Sequence, residues 1–314
     1  MKPSESIDGF ATLNEFQRSS GVGLDDQIIL VNNAHIFDDY QPCFFPWGKF
    51  GVTRFVTECW KQKLIFGPGR YSVGKGKLAS RLFAGFYDCS FNNLDLLNSV
   101  FAKLKKKPKR KFELVGGKGD YTISDDVAQN FPANISKILA NNVNTKDDRF
   151  RYLPMGRDFR SLELFPNMRP QSTKTKLCYC NYSISTHPIR QAVFDSVKEK
   201  EFIDFDHMGQ FRKYSITREE FFAKLSSSKF CICPRGNAFD TFRMWDSLYV
   251  GTIPIIVREA KFHDQLNDLP ILFLDSYEQF GQLDREYLES KYEEMSERKY
   301  AYHKLTRRFW LEQD

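Results

Sequence analysis

Residues 229–257 read KFCICPRGNAFDTFRMWDSLYVGTIPIIV, and in them two short apolar runs flank a turn and a helix-like repeat. The turn contains Gly236 and Asn237, and Asp240 or Thr241 is suited to cap the start of a helix. Apolar residues then recur at the spacing of one helix face, at Phe242, Trp245, Leu248 and Tyr249. The stretch therefore predicts a strand at 229–233, a turn, and a helix over 241–250.

The end of this stretch completes a βαβ unit. Gly251 lies where the left-handed residue that ends a helix belongs. The continuous apolar run 253–257 is typical of a strand that is buried on both faces of a parallel sheet. Ligands of open α/β sheets bind at the carboxyl ends of the strands. We therefore expect a binding site in the turn between the first strand and the helix.

Polar residues at this edge favour a diphosphate site. Arg235, Gly236 and Asn237 lie in the turn, and Arg243 lies in the first helical turn. Free backbone amides, the helix dipole and an arginine together bind a diphosphate well. Asp246, one turn further on, is placed to accept hydrogen bonds from sugar or ribose hydroxyls. An ordinary βαβ unit with a solvated polar helix face has the same pattern, and the residues alone leave both interpretations open.

The same residues resemble the donor-binding motif of exostosin-type glycosyltransferases, approximately F-x-x-x-P-x-G-x-x-x-D-[ST]-x-R-x-[WF]-[ED]-[AS]-L-x-x-G-x-[IV]-P-[IV]. The chain follows this motif in register from Phe230 to Ile255, with Asp246 where the family usually has glutamate. It is similar more narrowly to the exostosin-like group that includes the ribitol xylosyltransferase C-terminal domain. That similarity rests on KLCYCNYSISTHPIRQAVFDSV (176–197) and ANNVNTKDDRFRYLPMGRDF (140–159).

The resemblance implies an α/β fold of the GT-B type, with two Rossmann-like domains facing a cleft. It also implies inverting transfer of a sugar from a nucleotide-sugar donor to a glycan hydroxyl. The expected donor is a UDP-sugar, with xylose or another sugar as the transferred group. Arg243, with Arg235 second, would stabilise the leaving diphosphate. The residues that would bind the nucleotide-sugar are Arg235, Gly236, Asn237, Asp240, Thr241, Arg243 and Asp246.

The order of predicted elements divides the chain into two α/β halves. Residues 1–165 are expected to form an acceptor-binding domain, and 176–283 a nucleotide-sugar-binding domain after a polar linker at 166–176. A helical segment at 284–314 is expected to pack back on the first domain. Predicted strands lie at 27–32, 111–115, 149–153, 176–181, 201–205, 229–233, 253–257 and 271–274. Predicted helices lie at 125–141, 188–200, 217–227, 241–250 and 284–310.

The general base is expected on the first domain, at the carboxyl end of a strand. Asp120 follows strand 111–115 and a glycine-rich turn, and His35 follows strand 27–32. Asp38 and Asp158 are reserves, and a turn-forming or surface role stays open for each. The adjacent aspartate pairs at 25–26, 38–39 and 125–126 are not the D-x-D motif of a metal-binding strand-end loop, so we expect no divalent metal and no cofactor apart from the donor. The C-x-C pairs at 178–180 and 231–233 are expected to be buried, reduced thiols rather than metal ligands.

Composition sets the class of protein and of partner. The 314 residues, 41% of them hydrophobic, leave room for two domains, and the net charge of +6 suits an anionic donor. The run KLKKKPKRK (103–111) is a solvated linker or helix end, or else contacts an anionic membrane or polyanion. It has no aromatic residue from 104 to 111, so we expect no nucleic acid partner. No membrane-spanning run or signal pattern is present in the sequence, and a cytoplasmic location is expected.

Two other functions fit the same sequence. One is a fucosyltransferase-like enzyme that uses a GDP-sugar, because that class shares the two-domain plan. The other is a non-catalytic module that binds a glycan or a phosphate on the same fold. Slow release of nucleoside diphosphate from the donor, without acceptor, is expected of an enzyme but not of a binding module.

Overall fold

The computed structural model describes residues 7, 9–22, 65–67, 81–85, 101, 105–106, 108–109, 111–117, 122–157, 164–165, 167–206, 216–306 and 309–310. The chain divides into two compact units. We call residues 29–155 the central unit, and residues 1–28 together with 156–314 the C-terminal unit.

Strands and helices alternate through most of the described residues. In chain order the strands are β1 (Phe10–Thr12), β2 (Ile65–Gly67), β3 (Arg81–Gly85), β4 (Phe112–Gly117), β5 (Ile135–Ala140), β6 (Phe150–Tyr152), β7 (Lys176–Cys180), β8 (Ile203–Phe205), β9 (Ser228–Ile232), β10 (Ile253–Val257), β11 (Leu272–Leu274) and β12 (Lys299–Ala301). The α-helices are α1 (Leu13–Arg18), α2 (Asp125–Ala128), α3 (Pro188–Val197), α4 (Arg218–Ser227), α5 (Phe242–Tyr249), α6 (Gln279–Gln282) and α7 (Arg285–Glu297). The predicted α/β class is confirmed.

The described strands of the central unit form a parallel sheet in the order β2-β3-β4-β5-β6. The predictions of strands at 111–115 and 149–153 are confirmed, and β3 was not predicted. The prediction of a helix over 125–141 is wrong, because the helix ends at Ala128 and β5 follows. Ile135, Ile138 and Leu139 have the spacing of a helix face, but pairing on both sides, with β4 and β6, makes them a strand. The predicted strand 27–32 lies outside the described residues.

The sheet of the C-terminal unit is also parallel, in the order β8-β7-β9-β10-β11. Its five predicted strands are confirmed, and β10 is buried at all five positions, as its apolar sequence indicated. After β8 the chain returns to the other side of β7 to form β9. This reversal is the topological switch point, and in open α/β sheets ligands bind outside the carboxyl ends of the two strands that flank it.

The helix that follows β9 begins and ends as its sequence predicts. Thr241 is the N-cap of α5, and its side chain accepts a hydrogen bond from the backbone N–H of Met244 at 3.3 Å. Gly251 has a φ of +68°, the left-handed conformation expected of the residue that ends a helix. A Cβ at Gly251 would lie 2.8 Å from Cγ of Gln17, whose amide donates to the Gly251 carbonyl at 2.7 Å. The N-terminal segment therefore fixes the end of α5.

Both ends of the chain contribute to the C-terminal unit. Strand β1 pairs antiparallel with β12, and Phe16 of α1 stacks on Tyr302 with 4.0 Å between ring centroids. The predicted helix 284–310 is confirmed over α7 but is not continuous, because residues 299–301 form β12 and a 3-10 helix follows at 302–305. Burial of Tyr300 and Tyr302 stabilises the strand and the 3-10 helix that replace the predicted helix here. None of the described helices is long and apolar enough to cross a membrane.

Candidate functional site

Three arginines lie at the carboxyl ends of β7 and β9, which flank the switch point. Arg190 lies in the first turn of α3, after the loop that follows β7. Arg235 lies in the loop after β9, and Arg243 lies in the first turn of α5. Sequence reasoning predicted the second and third of these residues but did not select Arg190.

Arg190 joins the two loops of the switch point. Its Nε donates to the carbonyl of Arg235 at 2.8 Å, its Nη1 to the carbonyl of Ser183 at 3.0 Å, and its Nη2 to the carbonyl of Pro234 at 3.4 Å. The side chain is buried, and burial followed by the neighbouring charge of Arg243 lowers the pKa of Arg190 to about 9. The guanidinium therefore stays protonated at neutral pH, and its charge is held in place by uncharged acceptors.

Arg243 lies against the same aromatic side chain as Arg190. The guanidinium carbons of Arg190 and Arg243 are 5.6 Å and 5.8 Å from the ring centroid of Tyr182. Within the described part of the chain, the buried Nε of Arg243 has no hydrogen-bond acceptor, and the buried hydroxyl of Thr186 has no hydrogen-bond partner. Buried polar groups in proteins are normally paired. A ligand with oxygen atoms would supply the hydrogen-bond partners that these two atoms lack.

In the described part of the chain, no carboxylate balances the charge of Arg190 or Arg243. Among the described residues, neither Arg190 nor Arg243 forms an ion pair, and the charge of Arg243 raises the cost of keeping Arg190 charged. Bringing cations together out of water is costly unless an anion or a set of acceptors compensates them. A diphosphate carries the required charge and the oxygen acceptors that guanidinium groups bind in pairs. The arrangement is thus suited to an anionic ligand.

Arg235 folds back on its own loop. Its Nε donates to the carbonyl of Gly236 at 3.0 Å and its Nη2 to the carbonyl of Asn237 at 2.8 Å, and its guanidinium lies 4.1 Å from the ring centroid of Phe239. Its Nη1 is 3.7 Å from a carboxylate oxygen of Glu259. Arg235 therefore shapes the loop, and part of its charge is balanced by Glu259.

A polar network extends from Arg235 toward the carboxyl ends of β10 and β11. The other carboxylate oxygen of Glu259 accepts from the hydroxyl of Tyr277 at 2.6 Å. Burial and this hydrogen bond raise the pKa of Tyr277 far above its ordinary value, so the phenol stays protonated.

His187 caps helix α3 by accepting a hydrogen bond from the backbone N–H of Ile189 at 3.3 Å. Burial, and secondly the charge of Arg235, lower the pKa of His187. A neutral His187 can keep this cap at physiological pH.

The other predicted donor-binding residues have distinct positions in the loop. A Cβ at Gly236 would lie 3.1 Å from Nη2 of Arg190, so a larger residue would displace that guanidinium or the loop. Asn237 is exposed. Asp240 is buried and accepts a hydrogen bond from the indole N–H of Trp245 at 2.8 Å. This hydrogen bond and the N-cap at Thr241 both stabilise the start of α5.

Asp246 lies on a buried face of α5. Its Oδ1 accepts from Nε of Arg157 at 3.0 Å, and the two side chains are 2% and 1% exposed. The guanidinium of Arg157 also lies 3.5 Å from the ring centroid of Phe165 and 4.7 Å from that of Tyr249. Contact of Asp246 with a sugar or ribose hydroxyl stays a prediction, and the structure adds an internal partner that its sequence did not reveal.

The candidate bases cannot be placed at this site. Asp120, His35, Asp38 and Asp158 lie outside the described residues. Arg190, by contrast, is a site residue that the sequence could have indicated. It occupies the basic position of the segment 176–197 on which the resemblance rested, and it belongs to the loop and helix that follow β7.

The C-x-C pairs of β7 and β9 are buried free thiols, as predicted. Burial raises the pKa of the Cys178 thiol well above its ordinary value, so it stays protonated and unreactive. In the part of the chain that the structure describes, no group of three or more histidine, cysteine or acidic side chains is arranged to hold a metal ion.

Comparison with known proteins agrees with the motif. Residues 124–272 match the sequence model of the family described as Exostosin GT47 domain, and this range includes all three arginines. The chain thus carries an exostosin-type glycosyltransferase domain, and both the predicted resemblance and the predicted enzyme class, a glycosyltransferase, are confirmed.

Two further comparisons add little. A search of the curated proteins found no match. A solved structure described as "Crystal Structure of alpha1,3-Fucosyltransferase" aligns with 84% of this chain and 85% of its own, with 13% sequence identity and a TM-score of 0.47. A similarity this low supports no inference about the donor.

Proposed function

We propose that the protein transfers a sugar, with inversion, from a nucleoside diphosphate sugar to a glycan hydroxyl. The proposed donor is a UDP-sugar, and xylose is the first sugar to test. The observation that carries the proposal is the pair of guanidiniums at the switch point, Arg190 and Arg243, which has no carboxylate partner among the described residues. The donor diphosphate would supply the missing negative charge there. The GT-B plan of two Rossmann-like domains is part of the same proposal.

The proposed chemistry follows from where charge develops during transfer. As the glycosidic bond to the diphosphate breaks, negative charge grows on the leaving oxygen. A cation fixed in advance beside that oxygen stabilises the transition state more than the ground state. Arg243 is suited to this role because its Nε has no acceptor within the described residues. Arg190 holds the two loops together and adds a second charge, and Arg235 shapes the loop between them.

Nucleotide binding gives the direct test of this proposal. We expect UDP to raise the melting temperature of the protein, because a ligand that binds only the folded state stabilises it. Uridine and free xylose should have little effect, and a comparison with GDP separates the two classes of donor. The variant Arg243→Ala should lose most of the shift. Arg258→Ala is a matched control, because Arg258 follows β10 but pairs with Asp264 at 2.9 Å.

Two results would contradict the proposed site. One is a melting temperature that responds to neither UDP nor GDP. The other is an equal loss of the shift in Arg243→Ala and Arg258→Ala. Release of nucleoside diphosphate from the donor without acceptor then distinguishes an enzyme from a binding module.

We predict that transfer needs no divalent metal ion. The aspartates of the D-x-D at the end of β8, Asp204 and Asp206, are already paired with Lys176 and Lys224. The two guanidiniums of the site can take over the charge stabilisation that a metal ion supplies in other enzymes. Initial rates should therefore be the same with excess EDTA as with added manganese or magnesium. Activity that disappears in EDTA and returns on addition of either ion would refute this prediction.

We propose that the general base is Asp120, ahead of His35. A base must come within hydrogen-bond reach of the attacking hydroxyl, and the turn before Asp120 is rich in glycine, which leaves room for an acceptor. An aspartate with an ordinary pKa stays ionised down to about pH 4, whereas a histidine loses activity below about pH 6.5. Asp120→Asn should therefore abolish transfer, and the wild-type rate should stay constant between about pH 6 and 7. A decline below about pH 6.5 that is unchanged in Asp120→Asn would assign the role to His35.

A further inference from the structure

One strongly charged segment has no place in the proposed reaction. The basic tract, residues 103–111, contains seven of the 46 basic residues of the chain and no acidic residue. The remaining sequence has 39 basic and 40 acidic residues, counting from the same composition. The whole positive net charge of the protein therefore comes from nine consecutive positions.

The described lysines of the tract lie on the surface, close in sequence to an ordered core. They are all exposed, and within the described part of the chain none of them has an ion-pair partner; they are Lys105, Lys106, Lys109 and Lys111. Just before the tract, Phe101 is buried, with its ring centroid 5.0 Å from that of Phe131. Just after the tract, β4 begins at Phe112. These four charges are therefore concentrated on one part of the surface of the central unit.

The position of the tract separates it from the ligand-binding edge of its sheet. It enters β4 at the amino end of the strand, and the neighbouring strands β3 and β5 run parallel to β4. Ligands of parallel sheets bind at the opposite, carboxyl edge, where Asp120 follows β4 in sequence. A glycan acceptor bound for transfer would thus not need the tract. Stacking on nucleic acid bases is also disfavoured, because no aromatic residue occurs from 104 to 111.

We propose that the basic tract binds an anionic lipid surface. Such a surface needs only clustered positive charge, without a shaped pocket or aromatic platform, and juxtaposed lysines and arginines are attracted to it. A single polybasic segment gives reversible binding, which would hold the enzyme at a membrane while its reactive edge stays open. The attraction is electrostatic, so added salt should weaken it.

Vesicle sedimentation with the full chain tests the proposal. We expect the protein to sediment with vesicles in which about one third of the lipid is phosphatidylserine, and not with phosphatidylcholine alone. Each cation near such a surface raises partitioning about fivefold, so replacing the four described lysines of the tract with glutamine should lower it about 600-fold. A control with the same change in net charge replaces four exposed lysines elsewhere, Lys146, Lys198, Lys261 and Lys299.

The outcomes separate lipid binding by the tract from a general effect of net charge and from binding of a polyanionic glycan. The proposal is supported if the tract variant loses vesicle binding, the control variant keeps it, and both transfer sugar to a soluble acceptor at the wild-type rate. Equal binding to neutral vesicles, equal loss in both variants, or no binding in low salt would overturn it. Retention on a sulfated polysaccharide that depends on the tract, without vesicle binding, would also overturn it and assign the tract to a polyanionic glycan. The vesicle and polysaccharide binding results do not depend on the identity of the donor, so they can fail independently of the proposed function.

Discussion

Replacing Arg243 with alanine is expected to lower kcat by about 100- to 1000-fold, which corresponds to roughly 3–4 kcal/mol of transition-state stabilisation. The proposed reason is that this guanidinium faces the leaving diphosphate, where charge grows only as the bond breaks. The folded protein should not lose stability. Arg243 is a like-charged neighbour that helps to lower the pKa of Arg190 to about 9, and its removal relieves that repulsion. We therefore expect a melting temperature equal to or above that of the wild type, without ligand.

This combination of effects distinguishes a catalytic arginine from a structural one. A residue that only supports the fold would lower the melting temperature and the rate together. Arg243→Lys should restore little activity, because an ammonium group lacks the planar pair of donors that a guanidinium presents. Arg258→Ala, at the same edge of the sheet, should keep a near-normal rate. A kcat of Arg243→Ala within about tenfold of the wild type at saturating donor would exclude the assignment.

The C-terminal unit could be predicted from its sequence because its signals are local. Strand β9 ends in an apolar run and β10 is apolar throughout, and the turn and helix from Gly236 to Gly251 have their own capping residues. The left-handed φ of Gly251 was predicted correctly, and the N-cap is Thr241, one of the two residues that the sequence offered for it. Where local signals were ambiguous, prediction failed. Residues 135–140 have apolar residues at helical spacing, and only pairing with β4 and β6 makes them a strand.

The features that sequence reasoning missed depend on contacts between distant residues. Arg190 follows β7 in sequence, but its hydrogen bonds to Pro234 and Arg235 require β7 and β9 to be neighbours. No pattern in the segment 176–197 alone reveals that adjacency. Strand β1 likewise pairs with β12 across almost the whole chain, so residues 1–28, expected in the first domain, lie in the C-terminal unit.

The pairing of Arg157 with Asp246, which are 89 residues apart, has the largest expected effect on stability. Both side chains are almost completely buried, so Arg157→Met would leave a carboxylate without its cation in the interior. Breaking a buried ion pair in this way typically costs about 3–5 kcal/mol. We expect a clear fall in the urea midpoint of unfolding, with an unchanged dependence of free energy on urea.

The double variant Arg157→Met/Asp246→Leu shows what the pair does besides stabilising the fold. Replacing both partners of a buried ion pair with apolar residues is often neutral or stabilising, so the urea midpoint should recover most of the loss. If the two single effects simply add, the pairing seen in the structure is not the source of the stability. Steady-state kinetics of the recovered protein then tests the role of Asp246. A raised KM for the donor with normal stability would mean that Asp246 contacts the nucleotide-sugar, as its sequence position predicted. A normal KM would mean that Asp246 does not contact the donor and acts within the protein, where its ion pair with Arg157 fixes helix α5 and with it the position of Arg243.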